Sequence, residues 1–488
     1  MSYLDVALIK PGSQRQLYGE LSDFSLTGIE PPLWAALLAA YLRQEGFGVA
    51  LLDAEVEGLD YASTAARIAD ANPRLAVVTV SGTNPSASTM NMTGAREILK
   101  SLKERDPAIR TVLTGIHPSA LPTRTLREEP VDFVCQGEGF HALAKLIECL
   151  RSGGEARGIP GLWYRDGEEI LSGGAAPLMS DLDALPMPAW DLLPIERYRA
   201  HNWHCFDRIE ERQPYAVIYT SLGCPFKCTF CCINALFGKS GIRYRSPQTV
   251  IEEIDYLVST RGVRNIKIVD EMFALKKTHV HQLCDLIIER GYDLNIWAYA
   301  RVNTVNREML AKMKRAGINW IAYGFESASE RVLNDVSKGY RPEKSFQVAR
   351  ITHEEGLHIC ANFIFGLPED DRESMQQTLD MAKEIGGEWA NLYSTMAYPG
   401  SHLYEQAMEQ GSTLPDTWQG YSQYAYESLP LSTKHLSGSE VLAFRDDAFH
   451  SYHSNPRYLA MIEHKFGAEV VRHIKEMCVT RLRRKWSA

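Results

Sequence analysis

Cys224, Cys228 and Cys231 are spaced CxxxCxxC within the stretch TSLGCPFKCTFCC, Thr220 to Cys232. Thiolates are soft ligands that suit iron–sulfur clusters, zinc and copper(I). Four cysteines close a cluster, as in electron carriers. Three on one short loop leave one iron of a 4Fe–4S cluster without a protein ligand, free to bind a substrate or cofactor. Cys232 abuts Cys231; neighbouring thiols chelate one ion poorly, so Cys232 reads as a packed thiol rather than a fourth ligand. A structural zinc site would want a second Cys/His pair at the usual spacing. Downstream there is no CxxC and no HxxxH, and the next cysteine is Cys284. The chemistry favours an iron–sulfur cluster, with structural zinc the alternative.

Such a loop needs a rigid strand to launch it. Tyr215 to Ser221 reads as a buried strand running into the cysteines. Further strands follow at Asn265–Val269, Leu294–Ala300, Trp320–Phe325, His358–Phe365 and Ala390–Met396, with helices between them. Polar residues follow the strands: Asp270-Glu271, Arg301-Val302-Asn303, Glu326-Ser327, Gly366-Leu367-Pro368-Glu369 and Tyr398-Pro399-Gly400-Ser401. Barrel enzymes hold their chemistry at these carboxyl ends, so the pattern predicts an open six-unit (β/α) partial barrel. The turn at Pro399-Gly400 reads as a turn rather than a contact.

The first 150 residues alternate strand and helix five times, with strands at Tyr3–Ile9, Val49–Leu52, Leu75–Val80, Arg110–Thr114 and Val131–Cys135. This predicts an α/β, doubly wound, Rossmann-like domain with ligands at the carboxyl ends of its strands. Gly137-Glu138-Gly139-Phe140-His141-Ala142 matches the dinucleotide pattern GxGxxA but follows the fifth strand rather than the first, so it is discounted in favour of a tight glycine turn. The expected divisions are 1–155 for this domain, 156–213 for a hairpin and Pro-rich linker, 214–401 for the barrel and 402–488 for a mainly helical C-terminal cap. Trp190 and Leu192 would pack the linker, and the basic end Arg481 to Trp486 reads as a solvated helix end.

The bulk numbers fit a multidomain globular enzyme. The chain has 488 residues, 45% hydrophobic and 23% charged, with a net charge of −9. That charge argues against a nucleic-acid partner, since phosphate binding wants a basic face. Met1 to Lys10 carries Asp5 and an early strand, so no signal peptide is expected. The longest apolar run, Leu33 to Leu42, is too short for a membrane span. Ten cysteines in this length make no disulfide framework, and a reducing cytoplasm is expected.

TSLGCPFKCTFCC, with an aromatic before its third cysteine, resembles the signature loop of the radical S-adenosylmethionine (SAM) superfamily. In that superfamily the free iron chelates SAM, and an electron from the cluster cleaves it to methionine and a 5′-deoxyadenosyl radical. The resemblance covers Tyr215 to Ser401. It implies that Cys224, Cys228 and Cys231 hold a 4Fe–4S cluster. It also implies that Asp270 and Glu271 stand where the family holds the amino group of SAM, although the usual double glycine is missing there. Arg301 in ARVN and Glu326 in YGFES look like SAM-contacting strand ends, with Ser327 beside them. A structural ion pair at the barrel mouth is the competing reading. Gly366 in FIFGLPED would let the backbone approach the adenine.

The N-terminal block resembles the cobalamin-binding domain of the cobalamin-dependent radical SAM group. The matching stretches are Glu30-Pro31-Pro32-Leu33, the loop Ser81 to Ser88, GIHPSALP (Gly115 to Pro122) and CQGEGF (Cys135 to Phe140). The resemblance implies a corrin over the sheet's carboxyl edge, lined by Ser81, Asn84, Gly115, His117, Gly137, Glu138 and Gly139. Many cobalamin enzymes carry DxHxxG after the first strand, but Lys10 to Asp23 holds no histidine. The resemblance thus implies cobalt without a protein histidine, as in methyl-transferring members. His117 is not given the axial role, and a loop histidine bonding its own backbone is the competing reading.

Together these resemblances imply a cobalamin-dependent radical SAM enzyme. The leading expectation is a methyltransferase acting on an unactivated carbon, through a 5′-deoxyadenosyl radical and methylcobalamin. The alternatives are a cyclase or oxidoreductase without methyl transfer, a radical SAM enzyme that has lost cobalamin, and a cobalamin- or cluster-binding sensor without turnover. The implied partners are a small-molecule substrate and an electron donor such as flavodoxin or ferredoxin. No residue is assigned as a general acid or base.

Overall fold

The computed structural model describes residues 4–12, 18, 19, 21, 27–81 and 88–486. Asn84 and most of the stretch from Lys10 to Asp23 lie outside them.

The N-terminal strands are β1 (Val6–Lys10), β2 (Val49–Asp53), β3 (Leu75–Val80), β4 (Arg110–Gly115) and β5 (Phe133–Cys135). They pair in parallel in the order β2-β1-β3-β4-β5. Strands such as LAVVTV are apolar on both faces because helices cover both. Those helices include α1 (Leu33–Gln44), α2 (Tyr61–Ala71), α3 (Met92–Arg105), the short α4 (Ile116–Ala120), and α5 (Phe140–Arg151). The predicted hairpin forms as β6 (Leu162–Asp166) and β7 (Glu169–Ser172), and β6 pairs antiparallel with β5. It is physically the edge of the first sheet.

The second sheet runs β8 (Tyr215–Ile218), β11 (Asn265–Ile268), β12 (Asn295–Ala300), β13 (Ile318–Glu326), β14 (His358–Phe365) and β15 (Trp389–Ser394), parallel and in chain order. Among the described residues β15 does not pair with β8, so the barrel is open. A two-stranded ribbon, β9 (Ser221–Leu222) with β10 (Arg243–Tyr244), brackets the cysteine loop, and the short α6 (Asn234–Phe237) lies within it.

Leu33 to Leu42 is buried at every position. A helix apolar all round must be covered on all sides. Trp34 of α1 meets Phe140 of the first domain and Tyr219 of the barrel, at ring distances of 5.7 and 6.1 Å. The apolar run is the filling between the two sheets.

The linker also does structural work. Trp190 donates its Nε1–H to Glu253 at 3.0 Å. Trp203 packs against Trp297 and Trp320, and Phe206 against Trp320, so linker residues close the barrel floor. The C-terminal part is mainly helical, with α7 (Gly438–His453), α8 (Pro456–Phe466) and α9 (Ala468–Val479). The basic end departs from the solvated helix predicted for it. Residues 481–484 are not helical, and Arg484 folds inward onto Asp446 at 2.8 Å and onto the carbonyls of Gln423 and Ala425. Among the described residues, no helix is long and apolar enough to cross a membrane.

The barrel's lower rim holds a buried charge cluster. Glu388 is fully buried and accepts from the Ile359 amide at 2.7 Å, from His353 Nε2 at 3.3 Å and from Lys465 of α8. His358 faces both Glu388, at 3.6 Å, and Asp207, at 3.4 Å. Burial opposes the charge on Glu388, but hydrogen bonds to His353 and His358 and the nearby Lys465 hold its carboxyl well below the usual range. Burial likewise opposes the charged form of His358, yet Asp207 and Glu388 raise its pKa. Because that folded pKa is raised, its stabilisation is full below the unfolded histidine value and is lost as pH rises through the folded one. Urea unfolding should therefore show wild type exceeding Glu388→Gln in stability by a margin that narrows as pH climbs from 6 towards 8. Glu388→Gln should also cost about 3 kcal/mol, the lower end for breaking a buried charge pair.

Candidate active site

A cavity of about 590 Å³ runs from the cysteine loop down the barrel lumen. Cys224, Cys228 and Cys231 line its upper wall, with Arg301, Glu326, Lys338 and Glu271 around them. Met90, Thr27 and Glu30 bring the first domain onto the same space. Inward-facing Tyr299, Asn362, Asn391 and Tyr393 line the lumen below.

Backbone hydrogen bonds hold the loop from three sides. Gly241 donates to the Cys224 carbonyl at 3.1 Å, Thr229 donates to Val336 at 3.3 Å, and Leu403 donates to Thr229 at 2.9 Å. Burial pushes the Cys224 thiol up to about 11 and the Cys231 thiol well above its ordinary value. Thiols so placed need a positive centre beside them to ionise. No three donors among the described residues are grouped tightly enough to hold one metal ion.

The four strand-end residues fall into distinct roles. Asp270 does not line the cavity. It accepts from the Thr220 amide, Thr220 Oγ1 and Ser221 Oγ, each at 2.6 Å, and so fixes the end of β8 from which the cysteines depart. Glu271 does face the cavity and accepts from the Gly223 amide at 3.0 Å. Burial, with Asp270 adding to it, pushes Glu271 up to about 8. Arg301 stacks its guanidinium 3.9 Å from the ring centre of Phe226, inside the cysteine loop, and its Nε and Nη1 are buried without a hydrogen-bond partner.

Glu326 takes its cation from Lys338, at 2.5 Å, and not from Arg301. Lys338 in turn lies 5.5 Å over the ring of Phe230. Glu326 sits at φ +60° beside a register shift in β13. That left-handed backbone costs about 1–3 kcal/mol at a non-glycine residue and turns the carboxylate along the cavity wall. The Arg301–Glu326 ion pair of the competing reading is thus not formed among the described residues; Glu326 pairs instead with a lysine that sequence position did not reveal. Lys338 lies on no strand end, and of its two neighbours only Gly339 signals a turn.

Gly366 is placed differently from expectation. A Cβ there would strike Val441 of α7, so its lack of side chain serves helix packing. Its amide is taken by Asp370 at 3.0 Å, and it does not line the cavity. Ser327 Oγ is engaged by Thr378 at 3.3 Å.

A family model described as the radical SAM superfamily matches residues 218–382, and one described as a B12 binding domain matches residues 24–147. An uncharacterized methyltransferase of Pyrococcus horikoshii is 31% identical over 430 residues, 88% of this chain and 89% of that one. The chain belongs to the B12-binding radical SAM family. An anaerobic magnesium-protoporphyrin IX monomethyl ester cyclase of Cereibacter sphaeroides is 27% identical over 86% of this chain and 66% of its own length. Among solved structures, the radical SAM methyltransferase TsrM of Kitasatospora setae, with cobalamin and a [4Fe-4S] cluster bound, superposes with a TM-score of 0.71. It is 18% identical over 98% of this chain and all of that one. The cobalamin-dependent radical SAM enzyme OxsB gives 0.70 at 16% identity, over 98% of this chain and 72% of that one. At these identities the structural likeness speaks for the fold, two domains in the order B12-binding then radical SAM.

Within the B12-binding domain the candidate residues diverge. Ser81 follows β3 and is half-buried, its carbonyl accepting from Asn91. Gly115 is glycine because a Cβ would meet the Val80 carbonyl. Gly137 receives Ser119 Oγ on its amide at 3.0 Å, and Gly139 opens α5 at φ +90°. Glu138 points elsewhere: it accepts from Arg243 of the cysteine-side ribbon at 2.6 Å and from the Met179 amide at 2.7 Å. It pins the B12-binding domain to the linker and the radical SAM domain. His117 bonds Thr89 Oγ1 at 3.1 Å rather than its own backbone, and Trp418 covers its ring at 4.5 Å. Burial, then Arg124, pushes His117 down to about 3, so the ring is neutral, and its Nε2 is buried without a partner.

The donor set fits the implied cofactors at the radical SAM end. Three thiols on one wall, an unpartnered guanidinium beside them and a carboxylate held at the loop's base match a cluster with an open iron and an amino-acid ligand. Lys338→Met should strand Glu326 without a cation and cost about 3 kcal/mol in denaturant unfolding of the apoprotein. Adding Glu326→Gln should restore most of that loss, since the double change removes both charges.

Proposed function

We propose that the chain is a cobalamin-dependent radical SAM methyltransferase acting on an unactivated carbon of a small molecule. The observation that carries this reading is a single cavity bounded by the three thiols, by Arg301 with two unpartnered nitrogens, and by Met90, Thr27 and Glu30 of the B12-binding domain. One space reached from both domains suits a reaction that needs both cofactors at one substrate. The methyltransferase name of the Pyrococcus horikoshii relative supports the choice over mere binding.

When bound, the cluster with SAM supplies a carbon-centred radical and cobalamin a transferable methyl group; the protein positions both and excludes water. Cys224, Cys228 and Cys231 would hold the cluster. Arg301 offers Nε and Nη1 to a carboxylate, with Phe226 fixing the plane of the fork. Glu271 offers a carboxylate for an ammonium group, and Asp270 acts behind it by locking Thr220 and Ser221. Lys338 and Glu326 neutralise each other on the wall between them. In the B12-binding domain, Ser81, Gly115, His117, Gly137 and Gly139 border the sheet's carboxyl edge, where the corrin is expected.

The lumen below is where a substrate carbon would wait. Its charged and amide groups are already matched: Lys267 with Glu30 at 2.9 Å, and Asn391 with Asn362 at 2.9 Å. Aromatic walls from Trp297, Tyr299, Trp389 and Tyr393 favour an apolar or aromatic substrate over a charged one. A reductant such as flavodoxin or ferredoxin would supply the electron. The 27%-identical cyclase keeps a second reading open, the same cofactors without methyl transfer.

The test is anaerobic turnover of reconstituted protein with hydroxocobalamin, a strong reductant and SAM carrying a deuterated methyl group. The methyltransferase reading expects 5′-deoxyadenosine, S-adenosylhomocysteine and labelled methyl on cobalamin. Deoxyadenosine with no methyl transfer would move the assignment to the cyclase-like reading. Cys228→Ser should abolish deoxyadenosine while cobalamin still binds. Ala322→Phe, which fills the lumen, should leave deoxyadenosine formation within about twofold while cutting any substrate-dependent stimulation about tenfold.

A further inference from the structure

Gly400 lies in the turn after β15, at φ +90°, against both the cysteine-loop segment and the B12-binding domain. A Cβ built on it would stand 2.7 Å from Ala235 Cβ, 2.9 Å from Ala120 Cβ and 3.7 Å from Cys232 Cβ. These three neighbours come from two separate segments. Ala120 ends α4, the helix that carries His117 in the B12-binding domain. Ala235 lies in α6, and its amide bonds the Cys232 carbonyl at 3.0 Å, directly behind the third cysteine. The turn itself is stiff, because the Tyr398 carbonyl accepts both the amide of Ser401, at 3.0 Å, and its Oγ, at 2.7 Å.

We infer that Gly400 is a positioning residue that sets the gap between the cysteine loop and the B12-binding domain. Carbon atoms in contact rest about 3.5–4.0 Å apart, so a methyl at this point would have to push α4 and α6 apart by about 1 Å. Neither neighbour is a flexible side-chain end that can swing away; both are β-carbons fixed to short helices. A shift of about 1 Å between reacting groups can cost about 10²-fold in rate even when each group still binds. Gly400 touches no cofactor atom by this account and acts through Ala120 and Ala235. The inference rests on the proposed methyl-transfer reading, since it concerns the spacing between two cofactors.

The experiment compares reconstituted wild type with four variants. They are Gly400→Ala; the triple variant Ala120→Gly/Ala235→Gly/Gly400→Ala; the relieving pair Ala120→Gly/Ala235→Gly alone; and Gly411→Ala. Gly411 is a glycine at φ +64° with nothing within 4 Å of its would-be Cβ, so it controls for backbone strain without crowding. Three quantities are read: the cobalamin dissociation constant, the rate of labelled methyl transfer from SAM to cobalamin, and the magnetic broadening of the cob(II)alamin resonance by the reduced cluster. Gly400→Ala should slow methyl transfer about tenfold or more and change the broadening, with the dissociation constant within about twofold of wild type. The triple variant should recover at least half of both effects, and Gly411→Ala should match wild type. A triple variant as impaired as the single one would place the fault in the turn and overturn the inference. So would unchanged broadening in Gly400→Ala, or loss of cobalamin binding in parallel with rate. A wild type that never methylates cobalamin would sink the proposed function instead, and the broadening would still test the gap.

Discussion

A lysine ammonium buried to 1% exposure inside a barrel strand is tolerable only if something answers its charge. Lys267 of β11 is answered by Glu30 of the other domain, whose two oxygens lie 2.9 and 3.0 Å away. The face of Trp297 adds to this at 4.8 Å. Lys10 at the end of β1 grips the Glu30 carbonyl at 2.8 Å, and Tyr198 of the linker reaches Asp53 at the end of β2 at 2.9 Å. Removing either member of the Lys267–Glu30 pair would leave the other as a lone buried charge, which is far costlier than losing surface contacts. The joint orientation of the two sheets, and with it the shared cavity, follows from that pairing.

The electrostatics of the cavity are divided. Along the lumen the charges cancel within the protein. Around the cysteine loop they do not: Arg301 has unpartnered donors, and the thiols are pressed towards their neutral form by burial. The two phenylalanines of the loop contribute to this division. Phe226 carries Arg301 on its face and Phe230 lies under Lys338, so the residues between the cysteines set where the nearby cations stand. An incoming anionic group would find its counter-charge already in place at Arg301, which is how a site avoids reorganising when its ligand arrives, whereas the thiols would ionise only as a positive centre came beside them.

Segments that look like connectors close this arrangement. Trp418, far along the chain, packs into the core of the B12-binding domain and donates to Glu129 at 2.9 Å. Trp203 and Phe206 form the barrel floor. Thr480, Arg481 and Leu482 reach the cavity wall because Arg484 ties the chain end back to Asp446. An open barrel has an unpaired edge and two open ends; here the linker and the C-terminal segments cover what the sheet leaves bare.

Local spacing was enough to read the fold. Alternating strands and helices fixed two parallel sheets, because periodicity and terminal glycines are carried within a few residues. The CxxxCxxC loop was legible for the same reason: its three cysteines lie within eight residues. Whether a polar strand end faces the cavity was not legible. Asp270 and Glu271 are adjacent, yet one locks the strand and the other faces the ligand space, since successive side chains point to opposite sides. Glu138 looked like part of a glycine turn until Arg243, 105 residues away, was found on it. Lys338 and Gly400 owe their importance to neighbours brought in from other segments. Sequence by itself determined the elements and the spacing of the three cysteines on one loop. Tertiary structure alone decided which buried charges meet and how close the two domains stand, because those depend on contacts between residues that the chain keeps far apart.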